Sequence, residues 1–439
     1  MIEADFFWLL PWALFLLLGL FITIGIPIAF ALIASAVAIT VLDPRLTNWI
    51  VFQRMYNGMD SFVLLAVPIF LLAGNLINQA EVTDKLIRFA MNLLGRFKGA
   101  LAHVNVAVSM MFAGVSGSST ADSAGVGSIL IPSMKREGYP TEFAVAVTAA
   151  SSVIGIIIPP SINMIVWGAL TNTSIGGMFL AGIVPGIMIG LSQLLTNTWF
   201  VRKLKIPVQA PASRRALLIS SKDGLLAAAI PVLIIGGIRF GWFTPTEAAV
   251  IAVIYALFLG FVIYRTLNLS KVMQASTSTI RLSALSLFSL VAASIFGYLI
   301  SFYEVPNTLM GGITLTDPVT LMLVMTLVML LIGTFMDSLP AMAIIAPLFL
   351  PLALQAGIHP VQFGIVGVMA LGFGLITPPY GLCLMIASKI GGINLLKCLV
   401  PTLIYLGAMT AVLLLIIVFP ELTLGLPELM APELIGIRS

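Results

Sequence analysis

Apolar stretches of about 20 residues, the length that carries a helix across a bilayer core, recur along this chain from Trp8 to Pro420, residues 181–200 being one example. Between them there is little to face water. Only 9% of the 439 residues are charged and 60% are hydrophobic, whereas a soluble domain carries about 25% charged residues. Lipid offers the backbone no hydrogen bonds, so each span must satisfy its own polar groups as a helix. The chain therefore reads as an all-α polytopic membrane protein. Its first apolar run starts near Phe6 behind Glu3 and Asp5, lacks a small-residue cleavage site and continues past Pro27. It reads as a retained span and not a signal peptide. The two cysteines, Cys383 and Cys398, have no CxxC or Cys/His spacing and read as packing residues. Neither a transition-metal site nor an organic cofactor is expected, and nothing supports binding to nucleic acid.

Laid on itself, the chain repeats. Gly114 and Gly333, Pro132 and Pro351, Gly138 and Gly357, Pro159 and Pro378, and Pro160 and Pro379 all share one register. Upstream, "GNLINQAEVTDKL" from Gly74 lies on "GYLISFYEVPNTL" from Gly297. Shared leucines would mean little in so apolar a chain. Shared glycines and prolines mean more, because they punctuate backbone geometry.

Charge orients the copies. Loops on the cytoplasmic side collect Lys and Arg, and the stretch from Arg202 to Lys222 holds six basic residues and no acid. Counting spans outward from it leaves only Arg45, Arg54, Arg239 and Arg438 outside, so 17 of the 21 basic residues lie inside. The first copy carries Lys85, Arg88, Arg96 and Lys98 where the second has only Glu304 and Asp317. Matched loops on opposite sides imply inverted repeats. The expected organisation is a first repeat over 1–205, a basic cytoplasmic linker over 206–222, a second repeat over 223–420 and a tail over 421–439. Each repeat holds about five spans plus one re-entrant hairpin, with both termini outside. An interfacial amphipathic helix is expected over 83–96, where Lys85, Arg88, Asn92 and Arg96 form one stripe opposite Leu86, Phe89, Ala90, Leu93 and Leu94. A weaker candidate covers 46–57.

Two polar, helix-breaking motifs interrupt the apolar runs once per copy. The first is "FAGVSGSSTADSAG" from Phe112, matched by "LIGTFMDSLPA" from Leu331. Arms of about 13–15 apolar residues, roughly 20 Å of helix, are too short to cross a core near 30 Å. Hairpins are expected over 101–135 and 319–352, each with its tip at depth, a geometry tolerated where it is buried or lines a cavity. The second motif is "IIIPPSIN" from Ile156, matched by "LITPPYG" from Leu375. Adjacent prolines remove amide donors, so broken helices are expected over 158–161 and 376–381. The carbonyls of Gly155, Ile156, Gly374 and Leu375 should then be free to meet a cation, with oxygens from Ser161, Asn163 and Thr377 beside them.

One cation site per copy follows. The first would draw on the oxygens of Ser116–Thr120 and the first break, and the second on Asp337 and the second break. Asp337 leads, since a carboxylate at depth costs about 2.5–3.5 kcal/mol or more unless paired and no Lys or Arg lies near it in sequence. Asp122 is balanced between a ligand role and a structural one. His103 and His359 read as surface residues at the hairpin ends. For an anion, the returning half-helices offer N-terminal amides near Ser119–Thr120 and Ser338–Pro340, with Tyr380 beside the second break.

The run "FAGVSGSSTADSAGVGSILIPSMKREGYP", then "IIIPPSI", then "TSIGGMFLAGIVPG" resembles the large membrane subunit of TRAP (tripartite ATP-independent periplasmic) transporters. The likeness includes the early "GIPIAFAL" and "VPIFLLAGNL" and covers essentially the whole chain. It implies an elevator-type, sodium-coupled importer of an organic acid anion (a C4-dicarboxylate, sialic acid, sugar acid or keto acid) in the bacterial inner membrane. It also implies a soluble periplasmic substrate-binding protein and a small four-helix membrane subunit, expected here as a separate chain. Carried onto this sequence, the resemblance implies two sodium sites, one at Ser116, Gly117, Ser118 and Ser119 with Ile158, Pro159, Ser161 and Asn163, the other at Gly333, Thr334 and Asp337 with Ile376, Thr377 and Pro378. Rival readings are a stand-alone ion-coupled elevator carrier for dicarboxylate or inorganic anions, a channel, and an intramembrane serine protease suggested by Gly114–Gly117. The protease would need a base beside its serine, and the only histidines are His103 and His359.

Overall fold

The computed structural model describes residues 2–203, 214–305, 308 and 317–436. Among these it is helical throughout, with 19 α-helices joined by short turns. The first half contains α1 (Ile2–Thr23), α2 (Ile28–Leu42), α3 (Trp49–Met59), α4 (Ala66–Gln79), α5 (Val82–Leu94), α6 (Ala100–Ser116), α7 (Ser119–Arg136), α8 (Thr141–Ser152), α9 (Ile162–Thr171) and α10 (Ile175–Lys203). The second contains α11 (Arg214–Arg239), α12 (Pro245–Phe258), α13 (Leu269–Phe302), α14 (Pro318–Gly333), α15 (Ser338–Gln355), α16 (Pro360–Gly374), α17 (Leu382–Gly391), α18 (Leu399–Val418) and α19 (Glu421–Met430). Among the described residues, 7 helical stretches are long and apolar enough to cross a bilayer.

A helix pair, a single helix, a diproline break, a ten-residue helix and a long helix follow one another from α6 to α10 and again from α14 to α18. The pairs α6–α7 and α14–α15 occupy the stretches where hairpins are expected, with longer arms: 17 and 18 residues in one, 16 and 18 in the other. Helix α6 runs on through Ser116, and α7 and α15 absorb their internal prolines (Pro132; Pro347 and Pro351) without ending. At 1.5 Å per residue the arms are about 24–27 Å, close to a core of about 30 Å, and α15 is itself one of the 7 stretches long and apolar enough to cross. Both diproline bonds, Pro159–Pro160 and Pro378–Pro379, are cis.

Helix α5 is amphipathic as expected. It turns Val82, Leu86, Ile87 and Ala90 inward against α6 and α11, while the Lys85 ammonium sits 4.3 Å from the Tyr264 ring centre. The weaker candidate is α3, with Val51 as its buried residue. In the second half the stretch aligned with α3 and α4 is the unbroken 34-residue α13. The first half divides it at Asp60 and Ser61, ahead of a 3-10 turn over Phe62–Leu65.

The expected tail is folded. Helix α19 leads into a 3-10 turn over Pro432–Ile435 that rests on α10, where only glycine leaves room: a Cβ on Gly177 would stand 3.0 Å from the Leu434 carbonyl. The Arg239 guanidinium donates to the Met430 carbonyl at 2.9 Å. Of the basic linker, residues 204–213 (Lys205 among them) lie outside the described residues, and from Arg214 the chain is already helix α11. The outward loop expected between Glu304 and Asp317 likewise lies mostly outside the described residues.

Candidate functional site: two hairpin tips on two broken helices

At the first tip α6 ends on Ser116, and Gly117 turns the chain at φ +61, ψ 14, a left-handed conformation that strains residues with a Cβ. Ser118 then caps α7, its hydroxyl accepting from the Ala121 amide at 3.4 Å. The Ile162 amide donates to the Gly117 carbonyl at 3.2 Å. A Cβ on Gly117 would stand 2.7 Å from the Pro160 carbonyl oxygen, and one on Gly155 would stand 3.2 Å from the Ser118 backbone. First tip and first break are thus in backbone contact.

The second pair meets the same way. The Tyr380 amide donates to the Thr334 carbonyl at 2.8 Å. Gly333 and Gly374 lie back to back, so closely that a Cβ on Gly374 would overlap the Gly333 backbone. Asp337 caps α15: its Oδ1 accepts from the Ser338 amide at 2.7 Å and from the Ser338 hydroxyl at 3.2 Å.

The two tips converge on one cavity with an empty volume of about 470 Å³. Ser118, Ser119 and Thr120 line it from one tip, Asp337 and Ser338 from the other, and Asn163 from the first break. The Asn163 amide donates to the Ser338 hydroxyl at 2.8 Å. Asn163, expected as a ligand of the first cation, therefore reaches across to the opposite tip. Pro340 is buried, and neither it nor Tyr380 is among the residues lining the cavity, whereas Thr120 and Ser338 are.

The breaks are less open than expected. The Ile156 carbonyl accepts from the Ser161 hydroxyl at 2.7 Å, and that of Gly374 from the Thr377 amide at 3.0 Å. The Leu375 carbonyl accepts from the Cys383 amide at 2.9 Å. The turn and the helix that follows it supply donors that the prolines removed; the Ile156 and Gly374 carbonyls keep a second lone pair, whereas that of Leu375 also accepts from the Leu384 amide at 3.4 Å. The Ser161 oxygen also accepts from the Met164 amide at 3.3 Å, and the Thr377 hydroxyl donates to the Phe373 carbonyl at 2.9 Å. Ile158, Pro159, Ile376 and Pro378 occupy the breaks without lining the cavity.

Unmet polarity remains at the first tip. The hydroxyl oxygens of Ser116 and Ser119 are buried with no hydrogen-bond partner, a condition costing about 1–3 kcal/mol per group when nothing else binds it. A cation taken up by these oxygens would remove that cost. Asp122 is fully buried with both carboxylate oxygens unpartnered. It does not line the cavity and lies beside a buried hydroxyl layer joining Ser123 to Ser152 at 2.7 Å and Ser109 to Ser151 at 3.1 Å. His359 is not an idle surface residue: its Nδ1 caps α16 by accepting from the Val361 amide at 3.2 Å, and its Nε2 faces the Ile435 carbonyl at 3.1 Å.

Five lining residues fall outside the expected set: Ile162 and Leu339 next to the motifs, Leu71 on α4, and Leu282 and Ser286 on α13. Leu282 and Ser286 stand one helical turn apart on an uninterrupted helix, where no breaker marks them and the nearby Ser276–Thr279 run is the one polar signal in the sequence.

Residues 15–422 match the family model described as the tripartite ATP-independent periplasmic transporter, DctM component. Among similar proteins, the sialic acid TRAP transporter large permease SiaM of Vibrio cholerae is 38% identical over 410 residues, covering 92% of this chain and 95% of the relative. The C4-dicarboxylate large permease DctM of Pseudomonas aeruginosa is 36% identical over 377 residues, or 85% and 88% of the two chains. The 2,3-diketo-L-gulonate large permease YiaN of Escherichia coli is 34% identical over 403 residues, or 91% and 95%. In fold the chain is similar to the YdaH transporter of Alcanivorax borkumensis, with a TM-score of 0.63 at 18% identity over 87% of this chain and 90% of that one. With the match running through both hairpin tips and both diproline breaks, the chain belongs to the DctM component family of tripartite ATP-independent periplasmic transporters.

Proposed function

We propose that this chain is the large permease subunit of a sodium-coupled importer that takes an organic acid anion from a periplasmic binding protein and moves it by an elevator motion. The family places it among inner-membrane transport subunits and not among enzymes. The observation that carries the finer reading is the single cavity on which both tips converge, joined by the hydrogen bond from Asn163 to Ser338. Among the described residues its lining holds one carboxylate, Asp337, and no basic side chain. An anion bound there needs positive potential from elsewhere. The N-termini of α7 and α15 supply part of it, and cations at the two tip–break contacts supply the rest while neutralising Asp337. One cation would sit at Ser116, Gly117, Ser118 and Ser119 against the first break, the other at Gly333, Thr334 and Asp337 against the second. Binding of cation and acid then becomes mutually dependent, since each lowers the cost of burying the other.

The substrate class follows the relatives, whose names specify sialic acid, C4-dicarboxylate and diketogulonate. All are carboxylates, in keeping with a site built from helix N-termini. The partners are a small membrane subunit and a soluble binding protein. Proteoliposomes containing all three components should take up the acid only under an inward sodium gradient, and liposomes with this chain alone should take up almost none. Full-rate uptake without sodium would overturn the coupling, and robust uptake by the chain alone would favour a stand-alone anion carrier.

The inverted-repeat reading makes a separate prediction. Thr47 lies beside Arg45, on the side expected outside, and Ser270 beside Lys271, on the side expected inside; both are exposed, and the native cysteines are buried. A membrane-impermeant thiol reagent should label Thr47→Cys in spheroplasts and reach Ser270→Cys only after permeabilisation. The reverse pattern would overturn the assigned orientation.

A further inference from the structure

A second opening lies away from the hairpin tips, between the junction of α5 with α6 and the outer face of α10, with an empty volume of about 1170 Å³. Leu94 and Phe97 form one wall, and Leu191, Leu194 and Leu195 form the other. These are large apolar groups left uncovered: Leu195 is 72% exposed and Leu191 is 52%. Apolar exposure on a membrane helix is ordinary, but here it ends in charge. Lys98 and Arg202 stand at the rim with His103, and among the described residues no acidic one lines the groove. Neither Lys98 nor Arg202 pairs with a carboxylate among the described residues. The sequence that follows Lys203 adds Lys205, Arg214, Arg215 and Lys222 and no acid before Asp223.

An apolar cleft closed at one end by unpaired cations matches a molecule with a hydrocarbon chain and an anionic head. We propose that this groove is a binding site for an anionic phospholipid, its acyl chain along Leu191 and Leu195 and its phosphate between Lys98 and Arg202. Basic pockets between membrane helices hold such headgroups by charge, while the lysine and arginine stems extend along the apolar wall. A lipid held there would stand between the amphipathic α5 and the outer face of α10, at the base of the first hairpin.

The full-length chain, purified from nanodiscs of mixed phosphatidylglycerol and phosphatidylcholine, should retain phosphatidylglycerol in native mass spectra at about 25-fold over its share, two basic residues each contributing roughly fivefold. The double variant Lys98→Ala/Arg202→Ala should lose that preference. Leu195→Trp, which keeps both charges and fills the apolar wall, should also lose the retained lipid. Lys271→Ala removes a cation held instead by Glu81 at 3.0 Å and should change nothing. Equal retention of both lipids, or retention unaltered in the double variant and in Leu195→Trp, would overturn the proposal. So would a co-purifying membrane subunit that shields Leu195→Cys from labelling after all lipid has been stripped.

Discussion

Replacing Asp337 by alanine should reduce sodium-driven uptake in three-component proteoliposomes by about 100-fold or more. A carboxylate at mid-membrane costs about 2.5–3.5 kcal/mol on its own, and a cation that offsets this cost contributes a comparable share of binding, each 1.4 kcal/mol being tenfold. Asp337 has a second role, because its Oδ1 caps α15 through the Ser338 amide, and losing a cap destabilises a helix by about 1 kcal/mol. Asp337→Asn separates the two. Asparagine caps about as well as aspartate but carries no charge, so this variant should fold like the parent and still fail to transport. Ser118→Ala should act in the same direction at the first tip, raising the sodium concentration needed for half-maximal uptake. Uptake at the parent rate in Asp337→Asn would show that the charge is not part of the coordination.

Gly374→Ala should be equally damaging for a different reason. The added methyl would overlap the Gly333 backbone, and backbone has nowhere to rotate away, unlike a flexible side chain. Overpacking a well-filled interior costs about 1–3 kcal/mol, and here the strain falls on the contact between second tip and second break. The variant should melt several degrees lower in detergent and transport at background level. Gly407→Ala on α18 is the matched control, with open space where its Cβ would stand, and should be neutral or slightly stabilising. Normal transport by Gly374→Ala would mean that the close approach of these glycines is dispensable.

Much of this architecture was legible because glycine, proline and serine mark places where a helix must stop. Gly117, Pro159–Pro160, Gly333 and Pro378–Pro379 announced the tips and breaks, and the structure brings each tip onto its own break. The same logic misjudged what the breaks leave open. Missing proline amides predict free carbonyls only if no other donor comes near, and Ser161 and the Cys383 amide do. Leu71, Leu282 and Ser286 could not be read from breakers, since they reach the cavity through packing between helices more than 150 residues apart from one tip or the other. Asn163 sat near enough to the first break to be assigned to its cation, and only the packed structure turns it toward Ser338. The C-terminal stretch looked like a tail because its few apolar residues lack the length of a span, although Leu434 and Ile435 find glycines on α10 to rest on.

The bond between Asn163 and Ser338 has a consequence for how the chain can diverge. It is a handshake between halves that otherwise carry separate tips and separate breaks, so neither half can drift alone at this point. A chimera taking residues 1–205 from one relative and the remainder from another would keep each tip–break contact intact within its own half. It would still fail wherever the two parents disagree at these two positions. Their joint identity is one condition for exchange, beside other bonds across the halves such as Asn75 to Thr279 and Lys135 to the Gly391 carbonyl.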